Sequence, residues 1–144
     1  MTTRLQRTIF VPGTPESVFA YVADFSNAVE WDPGIVAARR LTEGPVGLGS
    51  RFELVAEFLG RELETVYEVI GHDPPKRVVV AGGSSRFAST DEITVTPADG
   101  SVQVSYEAEF RLSGLMAVAE PFLRGRFRKV AEDAVAGLQR RLGA

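Results

Sequence analysis

The chain has 144 residues, no cysteine and one histidine, His72. Disulfides, thiolate metal sites, cysteine nucleophiles and multi-histidine metal centres within one chain are thereby excluded. A formal net charge of −3 argues against a nucleic-acid partner, because such binders carry a basic excess on one face.

The length corresponds to about one domain, residues 1–144, large enough to bury a core without staples. Residues 4–11 end in Ile9, Phe10 and Val11 and read as a strand. Pro12-Gly13 breaks it. Thr14-Pro15-Glu16 then starts a helix: Thr14 caps free backbone N–H groups, Pro15 has no N–H to lose, and Glu16 complements the positive end of the dipole. Val18, Phe19, Val22 and Ala23 follow at helical spacing. A second short helix is expected over residues 26–31, stopping before Asp32-Pro33-Gly34.

From residue 35 to 112 the pattern changes to strands separated by turns. Ile35–Leu41 comes first, and Gly44–Gly49 is a loop. Phe52, Leu54, Ala56 and Phe58 share one face of the next strand. Leu63, Thr65, Tyr67 and Val69 alternate with glutamates in the one after, up to a turn at Gly71–Pro75. Val78–Ala81 and Ser89–Thr96 follow. Val102, Val104, Tyr106, Ala108, Phe110 and Leu112 alternate with polar residues, so this last strand has one buried and one wet face. Such one-sided sheets are usually antiparallel. Met116, Leu123, Phe127, Val130, Ala134 and Leu138 then form a helical stripe interrupted by Pro121. The expectation is a short turn at 115–120 and a main helix over about 121–141.

The predicted fold class is therefore α+β: seven antiparallel strands curved around a long C-terminal helix, with two short helices between the first two strands. A twisted sheet and a straight helix cannot touch along their whole length, so a ligand cavity is expected between them. No apolar run reaches the roughly 20 residues of a membrane span. The polar start Met1–Arg7 is not a signal peptide, so the expected address is cytoplasmic.

Several segments carry a resemblance. The order of elements, Trp31-Asp32-Pro33-Gly34, the Gly44–Gly49 loop leading into Ser50-Arg51-Phe52, the Asp73–Arg77 turn and the closing amphipathic helix resemble the START-like (SRPBCC) superfamily. Within it they are most similar to the bacterial polyketide cyclase/dehydrase branch. The resemblance covers nearly the whole chain and implies a helix-grip fold with a deep, largely apolar cavity. Members bind lipids, polyketides, hormones or other hydrophobic molecules, and some are aromatase/cyclases.

The candidate ligand-binding residues are Trp31, Phe52, Leu54, Tyr67, Tyr106, Phe110, Met116, Glu120, Leu123 and Phe127. The aromatic set either lines a cavity or forms plain core. Trp31 either lines the mouth or anchors the short helices. A buried tyrosine hydroxyl needs a partner, which a ligand or water can supply. Glu120 is a desolvated carboxylate if it points inward and a helix flank if it points out. His72 falls in a turn expected to be exposed and remote from the cavity. No nucleophile-elbow motif accompanies it. The glutamates at 53, 57, 62, 64 and 68 read as the outer sheet face. Arg86 and Asp91 lie near the start of the sixth strand, and nothing in the sequence decides which meets the cavity rim.

The expected function is binding of a hydrophobic small molecule, a lipid, polyketide or aromatic metabolite. The alternative is a cyclase or dehydratase in which Tyr67 or Tyr106 polarises a carbonyl and Glu120 moves protons. A third possibility is an interaction module. No catalytic residue, metal or cofactor is assigned, and the expected state is monomer or homodimer.

Overall fold

The computed structural model describes residues 2–143, with the side chains of all of these except 115 and 116. The alternating segments form β1 (Thr2–Val11), β2 (Ile35–Arg40), β3 (Arg51–Phe58), β4 (Arg61–Asp73), β5 (Arg77–Gly83), β6 (Phe87–Ala98) and β7 (Ser101–Leu112). They make one antiparallel sheet in the order β1-β7-β6-β5-β4-β3-β2. Strands β2 to β7 sit beside their chain neighbours, and β1 closes the other edge by pairing with β7, with Leu5 opposite Ala108. The helices are α1 (Pro15–Ala23), α2 (Ala28–Trp31) and α3 (Leu115–Gly143), with a single 3-10 turn at Phe25–Asn27 before α2. The α+β helix-grip architecture matches the expectation.

Local chemistry explains the short helices. Thr14 accepts from Ser17 N at 3.1 Å and its own N–H reaches Ser17 Oγ at 3.2 Å, closing a capping box ahead of Pro15. Asp24 caps the 3-10 turn through Ser26 N at 3.1 Å. Val18, Phe19, Val22 and Ala23 are buried, as their spacing requires.

Several boundaries differ from expectation: the helix expected over 26–31 is the 3-10 turn Phe25–Asn27 followed by the four-residue α2, and β6 runs over Phe87–Ala98 in place of Ser89–Thr96. α3 is one helix of 29 residues that runs through Pro121, not a turn followed by a helix. The proline costs one backbone hydrogen bond, while alanine, glutamate, leucine and arginine on either side favour helix. Strand β4 continues to Asp73 by means of a bulge between Val69 and Gly71. His72 therefore stands in a strand, half-buried, with its ring centroid 5.6 Å from that of Phe19.

The C-terminal half of α3 seals one end of the grip. Ala131, Ala134, Val135 and Leu138 are buried in the same core cluster as Val11, Val22, Trp31 and Val102. A Cβ at Gly137 would run into the Trp31 carbonyl, so only glycine lets the helix come this close to α2. Polar ties hold the seam. Arg7 pairs with Glu132 at 2.8 Å, and Gln139 donates to the Phe10 carbonyl at 3.1 Å. Glu30 accepts from Tyr21 at 2.7 Å and from Arg141 at 3.2 Å. Among the described residues no helix is long and apolar enough to cross a membrane.

Candidate ligand cavity

Between the concave sheet face and the middle of α3, from Leu123 to Ala134, lies a cavity of about 620 Å³. That falls within the size range of small-molecule sites. Its apolar wall comes from alternate positions of several strands: Leu54, Ala56 and Phe58 on β3, and Ala108, Phe110 and Leu112 on β7. Leu123, Phe127 and Val130 of α3 close it from above. Phe127 is stacked between Phe58 and Phe110, with centroids 5.1 Å and 4.9 Å away. These three rings form a pillar between helix and sheet, and the space beside it stays open. The exposed lining residues Glu57, Leu59, Arg61, Leu63, Glu64, Ser84 and Arg86 mark the mouth.

The sheet register positions the polar groups. Tyr67 stands opposite Gly82, which stands opposite Ser89. A Cβ at Gly82 would meet the Tyr67 ring at 2.8 Å, so the missing side chain lets the ring lie across β5 toward Ser89. Burial raises the Tyr67 hydroxyl's pKa and the charge of Asp91 adds to this, with the Ser89 hydroxyl working the other way. Ile93 faces Tyr106, which makes Asp91 the diagonal neighbour of Tyr106. The Tyr106 hydroxyl donates to Asp91 Oδ2 at 2.7 Å. Burial pushes the Asp91 carboxyl up to about 6, against the pull of that hydrogen bond and with the charge of Asp32 adding to it. Tyr106 is raised well above its ordinary value, by burial first and then by Asp91 and Asp32.

Asp32 enters from the other side. It ends α2 and folds back so that Oδ1 accepts from Gly34 N at 2.9 Å. Burial pushes its carboxyl up to about 6, while the Gly34 N–H lowers it and Asp133 on α3 raises it. The inner end of the cavity thus holds two carboxyls and two phenols beside the Trp31 ring, which meets Tyr106 edge-on at 6.1 Å.

Of the expected site residues, Trp31, Leu54, Tyr67, Tyr106, Phe110, Leu123 and Phe127 stand on the cavity wall. Phe52 does not. It shares the face of Leu54 but is fully buried, with Phe25 covering it at 6.3 Å. Glu120 points inward, at 1% exposure, yet is absent from the cavity wall, and neither carboxylate oxygen has a hydrogen-bond partner. The side chain of Met116 lies outside the described residues. Glu57 and Glu64 border the mouth and do not belong wholly to the outer sheet face. His72 is not on the wall. Asp32, Thr65 and Ser89 were missed. Ser89 and Asp91 share the period-two phase of Ile93 and Val95, a signal that puts both on the concave face. Asp32 has no periodic signal, because it sits in a turn.

The family model described as polyketide cyclase / dehydrase and lipid transport matches residues 2–143. The chain belongs to this family. Among solved structures, the fold is similar to a START superfamily protein from Mycobacterium smegmatis, with a TM-score of 0.79 at 15% identity over 97% of each chain. It is also similar to the di-domain ARO/CYC BexL from the BE-7585A biosynthetic pathway, with a TM-score of 0.75 at 14% identity. That match covers 99% of this chain and 50% of the di-domain protein. A conserved protein from Geobacillus kaustophilus gives a TM-score of 0.73 at 17% identity, over 99% of this chain and 95% of that one. At such identities the family's fold is shared and the ligand is not implied. No curated protein matches the sequence.

Proposed function

We propose that the protein binds a hydrophobic small molecule, a lipid, polyketide or aromatic metabolite, between the sheet and α3. The observation that carries this reading is the open space of about 620 Å³ beside the Phe58–Phe127–Phe110 pillar. A core filled solid by those rings would have argued the opposite. Affinity would come mainly from apolar burial, at about 25 cal/mol per Å², with the inner polar groups setting orientation. The reading takes residues 1–144 as a single ligand-binding domain acting in the cytoplasm, as monomer or homodimer, without a nucleic-acid partner.

The test is saturable binding of the neutral fluorophore N-phenyl-1-naphthylamine, compared with an Ala108→Trp variant that fills the cavity from β7. The expected result is one-to-one binding that weakens at least about tenfold in the variant. Equal binding by both proteins would reject the cavity as the site. Native mass spectrometry with solvent extraction then identifies what the purified protein carries.

A second reading, a cyclase or dehydratase in the same cavity, is favoured by the Tyr106–Asp91 hydrogen bond and a carboxyl near 6. The proton-moving group on the wall would be Asp91 in place of Glu120. Turnover of a poly-β-keto substrate that survives both Tyr106→Phe and Asp91→Asn would remove this assignment.

A further inference from the structure

The charges on the cavity wall are sorted by depth. Arg61, Arg86, Glu57 and Glu64 stand at the exposed mouth. Asp32 and Asp91, both half-buried, stand on the wall away from that mouth together with Tyr67, Tyr106, Trp31, Thr65 and Ser89, and Asp32 also borders a surface cleft lined by Glu30, Arg140 and Arg141. Among the described residues neither inner carboxylate makes a salt bridge to a lysine or arginine. Asp91 has one hydrogen bond, from Tyr106 to Oδ2, and Asp32 has one, from Gly34 N to Oδ1. Each therefore keeps an oxygen with no partner among the described residues, on the wall of a mainly apolar space.

We propose that the inner end of this cavity takes a protonated amine, so that the ligand is an apolar molecule carrying an ammonium group that enters first. This rests on the ligand-binding reading above and narrows its ligand class. Two like charges in one low-dielectric space repel each other and lose hydration. A cation placed between them removes both costs, and its N–H donors meet the two unpartnered oxygens. The ring of Trp31 and the two tyrosine rings add cation–π attraction. A carboxylate head group would add a third negative charge and is disfavoured. A hard metal cation is a poorer fit, since it wants six or more oxygens. No cluster of three or more metal-ligating side chains occurs among the described residues.

The test uses three probes with the same alkyl tail, dodecylamine, dodecanol and dodecanoate, each displacing N-phenyl-1-naphthylamine at about pH 8, where both carboxyls are ionised. Dodecylamine is expected to displace the fluorophore at about tenfold lower concentration than either other probe. In the Asp32→Asn/Asp91→Asn double variant the advantage of dodecylamine over dodecanol should fall below about threefold. Dodecanol or dodecanoate displacing as well as dodecylamine from the wild-type protein would overturn the amine assignment and leave the cavity reading intact. Failure of all three probes, together with no saturable fluorophore binding, would overturn both. If the double variant does not fold, the wild-type ranking of the probes alone decides.

Discussion

The two ends of the space under α3 are built from the same helix and the same sheet, yet one is closed and the other open. Ala131 and Ala134 still border the cavity, and one turn further on the closed end presents Gly137 with Leu138 fully buried beside it. The missing side chain at Gly137 lets α3 settle against α2 where a Cβ would clash with the Trp31 carbonyl. At the open end the helix presents Leu123, Phe127 and Val130, all half-buried. There the Phe127 ring is stacked face to face between Phe58 of β3 and Phe110 of β7, beside the open space. Large apolar residues do not by themselves fill a core. Placed as a pillar, they keep one open.

This contrast can be broken or sharpened by substitution. Leu138→Ala should cost about 3 kcal/mol, since it leaves a new hole in a sealed core, while Leu123→Ala should cost less than about 1 kcal/mol because it only widens an existing space. Denaturant unfolding measures both, and equal losses would erase the distinction. Gly137→Ala should cost about 2–3 kcal/mol by overpacking against the Trp31 carbonyl, read as a lowered unfolding midpoint.

Asp91→Asn should act oppositely and only at higher pH. The folded carboxyl titrates at about 6, against an ordinary 3.8. The folded state therefore holds more protons than the unfolded state between these values. Stability falls as pH rises through that window, and the deficit persists above it. The variant should thus be more stable by about 1–2 kcal/mol at neutral pH and no more stable near pH 4. A gain that is the same at both pH values would show that the carboxyl is not desolvated. Last and smallest, Leu59→Asn should add about 0.5–1 kcal/mol at the mouth. Leu59 and Gly60 both have positive φ, 54° and 76°, in the two-residue β3–β4 turn, and asparagine tolerates that conformation better. A thermal melt checks it.

The apolar wall was legible in the sequence because strand alternation is a direct record of which side chains share a face. Leu54, Tyr67, Tyr106 and Phe110 follow from it. Phe52 has the same phase and still misses the cavity, since alternation names a face and cannot say that Phe25 covers one end of it. Glu120 fails for a related reason. The helical stripe gives its direction, while what lies opposite depends on where α3 crosses the sheet. The Asp91 site was readable in principle from the phase of Ser89, Asp91, Ile93 and Val95. The Tyr67–Ser89 approach was not, because it depends on Gly82 being paired between them, and pairing register is a property of three strands together.

The bulge between Ile35 and Ala37 has a consequence for the outer border of the sheet. The other border, β1, is tied to α3 through Arg7 and Gln139, but β2 ends the ladder with only six residues. A break in its hydrogen-bond rhythm, together with the charged pair Arg39 and Arg40 at its end, leaves no continuous row of donors and acceptors for a foreign strand to copy. The chain thus carries its own protection against edge-to-edge aggregation, and replacing Arg39 and Arg40 with apolar residues would weaken it.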